Sequence, residues 1–247
     1  MSRFKVAVVV GVGPGLGSAI AHKLKSENFA VGLIARNADQ LTQIQSEIQA
    51  ANGTALIFPA DVTDAASIKD AFAQVKSQLD APEVLVYNAG AFQMAGILEL
   101  TPEQFENSWK VNCFGAFVAA QQVLPAMVEQ GRGTILLTGA TAALKGSASF
   151  SALAVGKFGL RALAQSLARE FGLQGIHVAH IVIDGMINTE RVRGMASERK
   201  AHTLLSPEAM SDDKPLRVYA QNYWQLYNQD ATAWTLELDL RPAVEKF

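Results

Sequence analysis

Apolar positions along this chain come in two alternating textures. Residues 6–10, 31–35, 55–58, 84–87, 134–137 and 178–183 form short continuous apolar runs, rich in β-branched side chains and bounded by glycine, proline or polar residues. Such runs predict strands buried on both faces of a parallel sheet. The longer stretches between them show helical spacing with readable starts. Asn37-Ala-Asp-Gln40 and Thr101-Pro-Glu-Gln104 are capping-box patterns, the second with proline at the first helical position. Strand, helix and strand repeated in this order predict an α/β fold, a Rossmann-like doubly wound parallel sheet with helices on both faces. No linker, low-complexity tract or internal repeat interrupts the alternation.

Two helical stretches are apolar almost all round. Residues 111–128 carry Phe114, Phe117, Val118, Val123, Leu124 and Met127; residues 152–173 carry Phe158, Leu160, Leu163, Leu167 and Phe171. A helix lying on a sheet needs one apolar stripe. The second faces point to burial against another copy, so a homodimer or homotetramer is expected.

Composition narrows the class. Of 247 residues, 49% are hydrophobic and 18% charged, the balance of a folded globule. A formal charge of −2 supplies no basic field for nucleic acid or an anionic membrane. Cys113 is the sole cysteine, which fits a reducing compartment and reads as a small buried side chain rather than a nucleophile. The first apolar run is too short for a signal peptide or membrane span, so a cytoplasmic location is expected. His177 and His180 lie three apart in a strand and face opposite ways; with His22 and His202 isolated, no metal is expected.

Candidate chemistry begins where the first strand ends. Gly11-Val-Gly13-Pro-Gly15-Leu16-Gly17 lies between that strand and the first helix. There glycines permit a tight turn and let backbone N–H groups approach a pyrophosphate at the helix N-terminus. No Walker lysine follows, which disfavours a nucleotide triphosphatase. A dinucleotide is the implied ligand.

From this point the chain resembles the short-chain dehydrogenase/reductase family. Gly11, Gly15 and Gly17 have that family's spacing, and further motifs follow in order. The resemblance implies that Asp61 and Val62 contact the adenine and that Asn88-Ala89-Gly90 is the family's Asn-Ala-Gly motif. It also implies that Asn112 supports a proton-relay water, that Lys157 is the lysine of Tyr-x-x-x-Lys, and that Thr189 meets the nicotinamide carboxamide. Residues 1–247 then form one dinucleotide-binding domain, with 190–247 as a substrate-side lid and carboxy-terminal segment.

Cofactor choice turns on the end of the second strand. NAD-specific folds place an acid there for the ribose hydroxyls; this chain has Arg36, whose guanidinium can pair a 2′-phosphate. NADP is therefore expected over NAD. Asp39 nearby belongs to the capping pattern.

Two departures cut the other way. Counting back from Lys157, the family's tyrosine falls on Leu153 and its serine on Ala140, so both hydroxyls are absent. Asp184-Gly185 stands where Pro-Gly is usual. Reduction of a carbonyl leaves an alkoxide that must be protonated, and a positioned acid contributes about 10²–10⁴-fold. Thr138, Thr141, Ser149, Ser151 and Asp184 are nearby substitutes, each read first as a loop hydrogen-bonder or solvated carboxylate. Tyr87 reads as a core aromatic. Tyr219, Tyr223 and Tyr227 with Trp224 form a packing stripe on a helix, and residues 234–240 alternate as a final strand. The resemblance implies an NAD(P)(H)-dependent oxidoreductase transferring hydride to a small organic substrate. The missing hydroxyls keep a catalytically silent NADP(H)-binding protein, a sensor or partner subunit, as the alternative.

Overall fold

The six apolar runs become six neighbouring strands of one sheet. The computed structural model describes residues 4–184, 186–187, 204–205 and 214–241. The strands are β1 (Lys5–Val10), β2 (Phe29–Ala35), β3 (Ala55–Pro59), β4 (Val84–Tyr87), β5 (Gly133–Thr138) and β6 (Ile176–Ile183). A separate parallel pair, β7 (Met186–Ile187) and β8 (Leu204–Leu205), precedes β9 (Glu237–Leu240), which joins the main sheet. The order is β3-β2-β1-β4-β5-β6-β9, and every pairing is parallel. This is the Rossmann-like doubly wound fold. The order reverses between β1 and β4, and a crevice opens there at the carboxyl ends of the strands.

Alternation along each strand divides the core in two. Val6, Val8 and Val10 face one helical layer, with Leu85, Tyr87, Ile135 and Leu137. Ala7 and Val9 face the other, with Val31, Leu33, Val86 and Ile181. The first layer contains α3 (Ala65–Gln78), α5 (Gly115–Gln130) and α6 (Ser151–Phe171); the second contains α1 (Leu16–Ser26), α2 (Ala38–Ala50) and α7 (Lys214–Tyr227). Between α3 and α5 runs α4 (Pro102–Trp109). Both faces of the central strands are thus covered, which is why their sequences are apolar throughout.

Helix starts follow the capping patterns with one difference. Thr101 and Gln104 form the full reciprocal box on α4. On α2 only the Asn37 half forms, its side chain accepting from the Gln40 N–H at 3.1 Å. The apolar stretch 111–128 does not begin a helix of its own. It continues α4 through a π-helical turn, Lys110–Phe114, into α5. Tyr87, buried at the end of β4, donates its hydroxyl to the Val111 carbonyl at 2.7 Å and holds that turn open. The stretch Pro102–Gln130 is long and apolar enough to cross a membrane, yet it is mostly buried in the protein as a core element.

The carboxy-terminal part is core on the described side. Tyr219, Tyr223 and Leu226 of α7 are buried, and Tyr223 shares a 2.8 Å hydrogen bond with the Thr138 hydroxyl. Tyr227 donates to Glu83 at 2.6 Å and accepts from Lys5 at 2.6 Å. The alternating stretch 234–240 is strand only over its last four residues. Trp234 instead stacks on His177, ring centroids 5.0 Å apart, which turns the chain before β9 begins. His180, on the opposite face, meets Glu237 at 3.1 Å.

Candidate functional site

The glycine turn sits at the crevice. Gly11 has φ +88°, a left-handed conformation that favours glycine, and a Cβ there would lie 2.3 Å from the Ala89 nitrogen. The turn is braced from below, since Asn88 donates its side-chain N–H to the Gly11 carbonyl at 3.0 Å. Asn88 and Ala89 thus hold the turn in shape. Gly15 leads into α1 with no side chain capping the helix; the Ser18 N–H turns back to the Gly13 carbonyl at 3.2 Å, which leaves the N–H groups ahead of it, on Leu16 and Gly17, for a ligand. Gly13 has open space beyond its Cα, while Leu16 and Gly17 are buried where the helix enters the core. An uncapped helix N-terminus behind an open glycine turn fits a pyrophosphate.

At the end of β2, Arg36 is exposed. Across the groove, burial would raise the Asp61 carboxyl, but hydrogen bonds from the Thr63 N–H and hydroxyl, with the Arg36 charge, hold it below its usual range. Val62 is buried against Gly115 at the base of α5. Arg36 and Asp61 therefore share one end of the groove.

The other end is built from the π turn and α6. A Cβ on Gly156 would stand 2.7 Å from the Asn112 Cβ, so only glycine lets α6 close on the turn. Asn112 is fully committed: its Nδ2 donates to the carbonyls of Ala91 and Ser108, each at 2.9 Å, and its Oδ1 accepts from the Ala91 N–H at 3.3 Å. Its side chain locks the π turn to the segment after β4.

One residue beyond Gly156, Lys157 is buried and donates to the Thr138 carbonyl at 2.8 Å. Burial pulls its pKa down to about 8, against a smaller opposing effect of Cys113. Burial in turn pushes the Cys113 thiol up, away from a nucleophile's range. A Cβ on Gly90 would lie 3.6 Å from Asn112 Oδ1 and 3.8 Å from Lys157 Nζ, so bare backbone faces the amine. Gly90, Asn112 and Lys157 are thus brought together, and among the described residues only the Thr138 carbonyl accepts from the three-donor amine of Lys157.

Leu153 is one helical turn before Lys157 and half-buried; Ala140 is extended, half-buried and just past β5. Beside them the structure joins two residues that the sequence left separate. The Thr141 hydroxyl donates to Asp184 Oδ1, and Asp184 Oδ2 lies 3.3 Å from Arg241. Ser149 is exposed; Ser151 has a buried hydroxyl without a partner among the described residues. Thr189 lies outside the described residues. Among the described residues no group of three His, Cys, Asp or Glu side chains is placed to hold a metal ion. A cavity of about 640 Å³ lies at the amino ends of the strands, between Lys5, Glu83, Arg132 and Tyr227, on the far side of the sheet from this chemistry.

A doubly wound sheet with an open glycine turn at its switch point, and a buried lysine facing bare backbone across the crevice, defines a dinucleotide-binding protein. The family model of short chain dehydrogenases matches residues 5–200. The chain belongs to the short-chain dehydrogenase/reductase family of oxidoreductases. A short-chain dehydrogenase/reductase of Armillaria gallica is 34% identical over 181 residues, 72% of this chain and 69% of the relative. The L-2,3-butanediol dehydrogenase of Corynebacterium glutamicum is 32% identical over 188 residues, 75% and 72% of the two chains. Among solved structures, a short-chain dehydrogenase of Rhodopseudomonas palustris superposes with TM-score 0.82 at 34% identity, covering 97% of this chain and 99% of that one. A metagenomic short-chain oxidoreductase in complex with NADP gives 0.80 at 26% identity, covering 98% of each.

Proposed function

We propose that the protein is an NADP(H)-dependent oxidoreductase whose acceptor does not need a phenol to protonate it. The observation that carries this reading is Lys157, buried with its amine at the Thr138 carbonyl and facing Gly90. Holding a lysine there is costly for the fold and gains a purpose once a ribose takes its other donors. The glycine turn would hold the pyrophosphate, Asp61 the adenine, and Lys157 the nicotinamide ribose. The bound dinucleotide supplies a hydride.

Arg36 supports NADP over NAD. NADPH should bind about tenfold or more tightly than NADH, and Arg36→Asp should erase or reverse the difference. Fluorescence titration of both proteins with both dinucleotides measures it. Equal affinities in the unmutated protein would refute the assignment.

A second reading, a silent NADP(H)-binding protein, is favoured by Leu153 and Ala140. Tight NADPH binding without consumption across carbonyls, enones and imines would establish it. Either way we propose a homodimer or homotetramer in the cytoplasm. Phe117 on α5 and Val155 and Phe158 on α6 remain 42–46% exposed, an apolar surface suited to a second copy. Light scattering at micromolar concentration should return at least twice 26.4 kDa; a species of that mass alone would refute it.

A further inference from the structure

We infer that the Thr141–Asp184 pair replaces the missing polar groups of the site and selects a protonated imine, C=N–H⁺, as the hydride acceptor. The inference rests on the reading that the protein binds a reduced nicotinamide dinucleotide. Placement comes first. His180 is in register with Leu137 on one side and Glu237 on the other, and Leu137 belongs to the core layer that contains Leu160 and Ala164 of α6. Four residues further, Asp184 continues the ladder through its N–H to the Leu240 carbonyl. It therefore shares the α6 face of the sheet. That face receives Lys157 and, one helical turn away, Leu153.

Hydrogen-bond chemistry decides what the pair can recognise. Thr141 has one proton, and it is committed to Asp184. Its oxygen then presents only lone pairs. It can accept from an N–H or O–H of a substrate, and it has nothing to donate to a carbonyl oxygen. Asp184 is buried beside Arg241, whose guanidinium also pairs with Asp239. Two carboxylates, Asp184 and Asp239, pair with that one guanidinium, so Asp184 does not have its counter-charge to itself. A cation bearing an N–H donor matches both properties.

An iminium ion also removes the difficulty left by Leu153 and Ala140. Its carbon takes the hydride, the C=N π pair becomes the nitrogen lone pair, and a neutral amine results. The reductant is the reduced dinucleotide, released oxidised, and no proton moves in the step. A ketone at the same place would become an alkoxide near a carboxylate, with Leu153 and Ala140 where the hydroxyls that protonate and orient it would stand.

The test uses the full chain as wild type, Thr141→Val, Thr141→Ser and Asp184→Asn. Each is titrated with NADPH, then assayed with 3,4-dihydroisoquinoline and with the shape-matched ketone α-tetralone. Calorimetry of tetrahydroisoquinoline binding to the NADP⁺ complex adds a readout without turnover. Wild type should consume the imine about 100-fold or more faster than the ketone. Thr141→Val and Asp184→Asn should lower kcat/KM for the imine and weaken amine binding by about 10- to 100-fold, with NADPH affinity unchanged. Thr141→Ser should restore both. If Asp184→Asn does not fold, Thr141→Val and Thr141→Ser decide alone. Normal NADPH binding with the imine no faster than the ketone overturns the inference, as does a Thr141→Val protein equal to wild type in turnover and amine binding. Wild type that fails to bind NADPH overturns the underlying cofactor reading instead.

Discussion

Installing both absent hydroxyls, Leu153→Tyr with Ala140→Ser, should raise NADPH-dependent reduction of a simple ketone by about 10²–10⁴-fold over wild type. The wild-type rate should be close to background, because no phenol stands one turn from Lys157. The supporting parts are already in place. Lys157 is one helical turn from position 153, with its amine fixed on the Thr138 carbonyl. Asn112 ties the π turn to the segment after β4, and Gly156 of α6 packs closely on it. A depressed lysine pKa, about 8 here, reflects a buried charge that would in turn favour the phenolate form of a neighbouring tyrosine. Each single variant should gain much less than the pair, since both hydroxyls act on one substrate oxygen and their effects are not additive. NADPH oxidation by the four proteins against one ketone panel measures this. Brisk wild-type ketone turnover that survives mutation of Thr141, Ser149, Ser151 and Asp184 would show that the count back from Lys157 misplaces the site.

The fold was legible because its signals are local and redundant. Six apolar runs, each closed by a turn residue, have the length and β-branched content of buried strands, although the outermost, β3, is only partly buried, and the glycine turn lay at the end of the first. The Thr101 box likewise reports a local bond and formed in full. What escaped the sequence depends on pairs far apart in the chain. The π turn arises because Tyr87, 24 residues earlier, takes the Val111 carbonyl. No periodicity in 111–128 encodes that. Thr141 and Asp184 are 43 residues apart, and only the pairing of β5 with β6 makes them neighbours. Each taken alone reads as a loop residue. Gly156 was readable in principle. A glycine inside an otherwise strong helical pattern, beside a buried lysine, signals close approach of another backbone. Residues 234–236 alternate like a strand, but stacking of Trp234 on His177 prevails over the pattern.

Replacing Lys157 by methionine should separate the demands of fold and ligand. The amine is fully buried, and its pKa of about 8 lies below the ordinary 10.5. The sign follows from proton counts. Between pH 8 and 10.5 the unfolded lysine holds a proton that the folded one has lost, so stability rises with pH across that window. Below pH 8 the folded protein carries the whole penalty, about 3 kcal/mol. Methionine has similar reach and no charge, so the variant should lack that rise. It leaves the Thr138 carbonyl without its donor, a loss of about 1–3 kcal/mol that offsets most of the gain at neutral pH. Urea melts at pH 7, 8, 9 and 10 should therefore show near-equal stabilities at pH 7 and a wild type that gains on the variant above pH 8. Parallel curves would mean that the amine titrates normally. NADPH should bind the variant about tenfold or more weakly. In wild type the phosphates of the ligand favour the charged amine, so binding should take up a fraction of a proton near pH 8 and weaken above it. Calorimetry in two buffers of different ionisation enthalpy reads that proton directly, and the methionine variant should show none.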